Sequence, residues 1–219
     1  MNYWRVTTKK DLGIILDDKL SFNEHVDEIT RKAYRMLGFI FRCGKYFSCQ
    51  SSMRQLYSCL VRNQLEYCST VWNPCYSTAS DQIERVQKKF TRMFYFKFQI
   101  AHPRPPYYQR LKRLKLHSLE SRRLENDEIM LYKLIHNHVD SSLCQQISIH
   151  QPARTTRQVS IFYLPKMVTN YQENAPIYRV QRNHDLYFRN LNVIGSNLYS
   201  FKKLVKDWFD WWLLVHFHV

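Results

Sequence analysis

Apolar residues recur at helical spacing through two long stretches of this chain, and that rhythm constrains the fold more than any other feature. In the first, Val26, Ile29, Ala33, Leu37 and Ile40 fall on one side, with Asp27, Arg31, Lys32 and Arg35 on the wet side. Ser21 followed by Glu24 reads as a capping box, and Leu20 and Phe22 flank it as apolar contacts. In the second stretch Ile83, Val86, Phe90 and Met93 turn inward, Phe94 widens the stripe, and Ser80 or Asp81 supplies the cap. Between the two, Met53, Leu56, Leu60 and Gln64 line one side of a helix after the polar Ser48–Ser52 stretch, with Tyr57, Val61 and Leu65 beside them. Only 4 glycines occur in 219 residues, which disfavours glycine-rich nucleotide-binding folds and argues for helices joined by other turns.

The segments around this helical centre are less regular. Residues Val6 to Leu16 read as extended, with Leu12, Ile14 and Leu16 alternating on one side, and Asp17-Asp18-Lys19 follows as a polar turn. Tyr67 to Pro74 fits no simple period. Pro103, Pro105 and Pro106 cannot sit together inside a helix, so Ala101 to Tyr108 is the best internal boundary. A short basic helix, Tyr107 to Lys115, then leads into a longer one capped by Ser118, with Leu124, Leu131, Leu134, Ile135 and Val139 on its apolar side. Ile147 to Asn192 reads as extended, irregular peptide with short strands. A last helix is expected from Asn197 to about Val215, with Phe201, Leu204, Val205, Trp208, Trp211 and Trp212 available for packing. The fold class is mainly α: a helical bundle with a short extended N-terminal segment and an irregular C-terminal part. Its expected divisions are 1–20, 21–100, 101–146 and 147–219.

Charge narrows the partners. Lys and Arg total 33 against 18 Asp and Glu, a formal net charge of +15, which favours a polyanion. Nucleic acid comes first, and an anionic membrane surface second. No apolar run reaches membrane-spanning length; the tail after Trp208 is short and broken by His216 and His218. The 6 cysteines form no CxxC pair and follow no signal peptide, so free thiols in a reducing compartment are expected, without bound zinc.

Catalytic motifs are missing. There is no GxSxG, phosphate loop or HExxH, and His25, His102, His117, His136 and His138 read as surface or packing residues. Asp17-Asp18 superficially suits two-metal chemistry, but a second acidic position is wanting and the pair sits where a turn is expected. No cofactor or metal is therefore expected in this chain. The basic stretches carry more information. Arg85, Lys88, Lys89, Arg92 and Lys97 form one, and Arg110, Lys112, Arg113, Lys115, Arg122 and Arg123 form another. Repeated cations grip phosphates without reading bases, and the interleaved Tyr95, Phe96, Tyr107 and Tyr108 offer rings for stacking. The bland counterpart is a solvated face for the cations and a core role for the rings. Trp4, Trp72 and Trp208 read as core or interface aromatics.

Several runs are familiar in combination. Leu12-Gly13-Ile14-Ile15-Leu16-Asp17, followed by Leu20-Ser21-Phe22 and His25, resembles the segment just after the palm in reverse transcriptases of jockey-like non-LTR retrotransposons. The likeness continues through KAYRMLGFI, Lys32 to Ile40, LYSCLVRNQLEYCSTVWNP, Leu56 to Pro74, and DQIERVQKKFTR, Asp81 to Arg92. It extends to RLKRLKLHSLESRR, Arg110 to Arg123, LYKLIHN, Leu131 to Asn137, TNYQENAPIYR, Thr169 to Arg179, and Phe201-Lys202-Lys203. The resemblance covers nearly the whole chain in order, though none of its blocks is a catalytic signature. It implies a thumb whose helices hold a primer–template duplex, beside a palm and an endonuclease whose catalytic residues would precede Met1. A complete enzyme of that kind would need divalent metal. Some relatives end in a cysteine–histidine zinc knuckle, which this sequence lacks.

The expectation is thus a fragment resembling the non-catalytic part of an RNA-directed DNA polymerase, inactive alone. It would hold RNA–DNA hybrid or duplex through Arg85, Lys88, Lys89, Arg92, Arg110, Lys112 and Arg113, with an upstream palm as a further partner and no membrane. The alternative is a structural or protein-interaction module. In that reading the apolar sides of the Ser21 and Ser80 helices, with Trp208, Trp211 and Trp212, mate with a palm or another protein.

Overall fold

The computed structural model describes residues 7–100, 103, 105–139, 142–149 and 160–216, with side chains to residue 210. Trp4, His102, Trp211, Trp212, His216 and His218 lie outside the described residues or side chains. The described chain is mostly helical and divides into two compact units, residues 1–122 and 123–219. The division does not fall at the prolines. Leu111, Leu114, Leu116 and Leu119 return to the first hydrophobic core, which keeps the chain beyond the prolines in the first unit.

The first unit opens with a hairpin rather than one extended run. Strands β1 (Thr8–Asp11) and β2 (Ile14–Asp17) pair antiparallel, Thr8 opposite Asp17 and Asp11 opposite Ile14. Leu12 and Gly13 form the two-residue turn at φ 43° and 90°, the positive values that match the twist of paired strands. Leu12, read as sharing one side of an extended run with Ile14 and Leu16, is instead 83% exposed at the tip.

Asp17 ends β2 and organises the next turn. Its carboxylate accepts from the backbone N–H of Lys19 at 3.0 Å, Ser21 at 2.9 Å and Phe22 at 2.7 Å, and from the Ser21 hydroxyl at 3.0 Å. The Ser21–Glu24 capping box does not form. Helix α1 (Asn23–Cys43) starts after Phe22 at φ 56°, with no side-chain cap: the cap position falls on Phe22, one residue past Ser21, whose hydroxyl donates to Asp17 and accepts from Asn23 N at 3.5 Å.

Helix α1 buries Val26, Ile29, Ala33, Leu37 and Ile40, as the spacing predicts. It packs against α5 (Ser77–Lys97), whose inner face carries Ala79, Ile83, Val86, Phe90 and Phe94. Phe90 stacks on Tyr57 with centroids 3.9 Å apart and also meets Phe41 and Phe94. Full burial of such a ring is worth about 1.5–3 kcal/mol.

The intervening helical segment runs as α2 (Gln50–Leu56), a π-helical turn (Tyr57–Arg62) and α3 (Asn63–Glu66). Its buried residues are Met53, Tyr57, Val61 and Leu65, a strict four-residue spacing. Leu60 and Gln64, expected on the inner side, do not join that stripe. An ideal α-helix would rotate this stripe about 40° per step. The π turn absorbs that drift and keeps the four side chains in the first core. The short α4 (Ser69–Trp72) follows, burying Trp72, whose Nε1–H donates to the Tyr67 carbonyl at 2.7 Å. At the end of α1, Gly44 permits a close approach: a Cβ there would lie 2.7 Å from Met53 Cε.

Helix α6 (Tyr107–Leu114) and helix α7 (Leu119–Ile135) follow. Ser118 caps α7 as expected, its Oγ accepting from Ser121 N at 3.1 Å.

The second unit gathers Leu131, Tyr132, Phe162, Val180, Phe188, Val193, Phe201, Val205 and Phe209 into its own core. Among the described residues, the stretch read as irregular from Ile147 to Asn192 contains an isolated bridge, Ile149 to Phe162, and then α8 (Asn170–Asn174), α9 (Pro176–Asn183) and a π turn (His184–Phe188). Apolar periodicity misses α9 because its buried face is largely polar. Arg179 meets Asp127 at 3.1 and 3.3 Å, Asn183 reaches the same carboxylate at 3.4 Å, and His184 Nδ1 lies 2.6 Å from Glu128 Oε1. Burial pushes the Glu128 carboxyl above its ordinary value against the opposing pull of His184. Helix α10 (Leu198–His216) agrees with the expected last helix.

Candidate nucleic-acid interface

Helix α5 separates its side chains into two populations. Advancing about 100° per residue, Arg85, Lys88, Lys89 and Arg92 fall at i, i+3, i+4 and i+7, opposite the stripe that Ile83, Phe90 and Phe94 bury. Arg85, Lys89 and Arg92 are exposed and Lys88 is half-buried. Among the described residues none of the four joins an ion pair. Two are placed by rings instead: Lys89 Nζ lies 5.0 Å from the Tyr34 ring centre, and Lys88 Nζ 5.6 Å from that of Tyr107.

A polar network under this helix fixes its position. The fully buried Gln87 accepts from the Tyr57 hydroxyl at 2.8 Å and donates to the Tyr107 hydroxyl at 3.1 Å and the His117 carbonyl at 2.8 Å. Tyr107 donates to Glu84, whose other oxygen accepts from Leu119 N at 2.9 Å at the start of α7. Burial, reinforced by the Glu84 carboxylate, pushes both tyrosine hydroxyls far above their ordinary range and keeps them as neutral donors. The tie between α5, the π turn, α6 and α7 uses Glu84 and Gln87, which are invisible to a search for apolar periodicity. The only sequence signal is two polar residues within the angular range of a core stripe.

The second basic stretch is only partly at the surface. Lys112, Arg113 and Lys115 are exposed, and Lys112 and Arg113 join no ion pair among the described residues. Arg110 was expected among the phosphate contacts, but it is only 7% exposed, its guanidinium 5.6 Å from the centre of the Tyr107 ring. Its position explains this: Tyr107, Arg110, Leu111 and Leu114 share the inner side of α6. Arg122 makes a two-point ion pair with Glu66 at 3.0 and 2.9 Å, and Arg123 is buried. The expected rings divide similarly. Tyr95 is buried and Tyr107 belongs to the network, leaving Phe96 at 76% and Tyr108 at 37% exposure.

Other candidates resolve into packing. His25 is buried, edge-on to Trp72 at 5.1 Å, with Nδ1 accepting from Ile15 N at 3.4 Å; burial holds its pKa below the ordinary value. Asp17 serves the turn described above. Burial opposes its ionisation, but the hydrogen bonds from Ser21 and Phe22 prevail and lower its pKa. Among the described residues no three His, Cys, Asp or Glu side chains converge to hold a metal ion, and no helix is long and apolar enough to cross a membrane. All 6 cysteines are free, five of them exposed and Cys144 half-buried.

The interaction alternative relied on the apolar sides of the Ser21 and Ser80 helices. Those sides are buried within the first core, while Trp208 packs on Phe188 and Phe209 in the second. What α1 and α3 leave open is a cleft of about 690 Å³ bordered by Ile29, Met36, Phe39 and Tyr67, with Lys32 and Arg35 beside them. No protein-family model matches the chain, and neither a curated protein nor a solved structure shows significant similarity to it.

Proposed function

We propose that this chain is a non-catalytic nucleic-acid-holding module that grips the phosphates of RNA–DNA hybrid or duplex through the outer face of α5. The observation that carries the reading is the set Arg85, Lys88, Lys89 and Arg92 on one side of a helix whose other side is locked into a core. The four cations span about 10 Å of helix axis. A duplex carries one charge per roughly 1.7 Å, so a row of that length meets several phosphates without base-specific geometry. Lys112 and Arg113 add cations to the same unit. The ordered sequence blocks that resemble the post-palm region of jockey-like reverse transcriptases, one of which contains these four cations, imply the same role. In that setting the module positions a primer–template, and the metal-dependent chemistry belongs to an upstream palm.

Binding of this origin is weak, salt-sensitive and largely indifferent to sequence. Fluorescence anisotropy with a labelled RNA–DNA hybrid, repeated over a salt series, measures it. Replacing Lys88, Lys89 and Arg92 together by Ala should flatten the plot of log affinity against log salt by about one unit for each lost phosphate contact. A slope equal to that of the parent chain removes these residues from the binding surface.

A further inference from the structure

The cationic face of α5 does not end at Arg92. Phe96 follows it at i+4, on the same outer side, and is 76% exposed. Beside it lies a cleft of about 510 Å³ bordered by Phe41, Lys45, Arg92, Met93, Phe96 and Lys97. Three of the six are cations and none is acidic. Lys97 Nζ donates to the Lys45 carbonyl at 2.9 Å, which ties the 3-10 turn Gly44–Tyr46 to the end of α5 and holds Lys45 at the cleft.

A large ring left in water beside three cations contributes nothing to the core, and it suits a ligand that joins a flat ring to negative charge. A paired base hides its faces inside the stack, so duplex has no use for Phe96. An unpaired base offers a face to the ring while its phosphates meet Lys45 and Arg92. We propose that the end of α5 is a subsite for the unpaired strand where a duplex gives way to single strand, so that the module favours junctions over blunt duplex. The location of the duplex in this inference rests on the α5 reading above; the Phe96 subsite is separately testable.

Three probes separate the two: a blunt RNA–DNA hybrid, the same hybrid with a short unpaired extension, and the extension strand alone. Stacking of one base corresponds to about tenfold in affinity, so the extended hybrid should bind about tenfold tighter than the blunt one. Phe96→Ala should erase that gain while leaving blunt-hybrid affinity within about twofold. Phe96→Trp should keep the gain. Equal affinity for extended and blunt hybrids overturns the subsite, as does a gain that survives Phe96→Ala. A polyglutamate peptide that competes as well as the single strand, with no dependence on Phe96, overturns it in favour of a general anion site. If blunt hybrid fails to bind but the single strand binds through Phe96, the duplex face falls and the subsite stands.

Discussion

Replacing Gln87 by Met tests the network that sets α5 in place. Met fills a similar volume, so the substitution removes hydrogen bonds rather than opening a large cavity. Three are lost, to Tyr57, Tyr107 and the His117 carbonyl, at 2.8, 3.1 and 2.8 Å. Tyr107 keeps Glu84, whereas the fully buried Tyr57 hydroxyl loses the acceptor it has here. With a net bond worth about 1 kcal/mol and a stranded buried group costing about 1–3 kcal/mol, the expected loss is about 3–5 kcal/mol. Tyr57→Phe alone should cost about 1–2 kcal/mol, and the double substitution should fall short of the sum by a similar amount, since it removes both partners together. Native-state hydrogen exchange of α5 peptides reads the first unit without averaging over the second, and protection should drop by roughly two to four orders of magnitude in Gln87→Met. A drop below about tenfold, or strictly additive effects in the cycle, would refute the claim that this network holds the helix.

Two further expectations concern single ionisable groups. Hydrogen bonds from Ser51, at 3.0 Å, and from Ser52 bring the Cys49 thiol down to about 6, so its alkylation rate should level off near neutral pH. Ser51→Ala should move that midpoint upward; a rate still climbing through pH 8 in the parent chain would contradict the assignment. Asp17 has a folded-state pKa below its unfolded value, so its stabilisation is full above the unfolded value and disappears as pH falls through the folded one. Urea midpoints of the first unit should therefore separate parent from Asp17→Asn at neutral pH and converge in strong acid; a constant gap would place the effect elsewhere.

What could be read from the residues follows from where each helix gets its partner. The buried stripes of α1 and α5 are apolar, so counting by 3.6 finds them directly, and the same count finds the cations on the opposite side of α5. The buried face of α9 escapes it because Arg179, Asn183 and His184 are compensated by Asp127 and Glu128, more than 50 positions away. Arg110 lies inside for a related reason. An arginine between Tyr107 and Leu114 on a short helix reads as a surface charge by residue type, while its angular position puts it inside. Leu12 shows the reverse, an apolar residue expelled to a hairpin tip because the turn geometry outweighs one side chain's preference for burial. The cleft beside Phe96 had no local signal at all, since Lys45 arrives from a turn far upstream.

Tyr107 joins the two faces of α5 in a single group. Its hydroxyl is held by Gln87 and Glu84 on the buried side, while its ring lies under Lys88 on the wet side. A free lysine gives up substantial rotamer freedom when it settles on a phosphate, and that loss is subtracted from the binding energy. A lysine already resting on a fixed ring has part of its freedom removed before the ligand arrives. Lys89, over Tyr34, is in the same condition. The aromatic richness of the chain therefore does two jobs at once: the rings fill the core around Phe90, and their faces aim cations outward. Four unpaired charges on a flexible helix would attract a polyanion loosely; in the proposed binding, a helix pinned through Gln87 would present them to it as a row of fixed spacing.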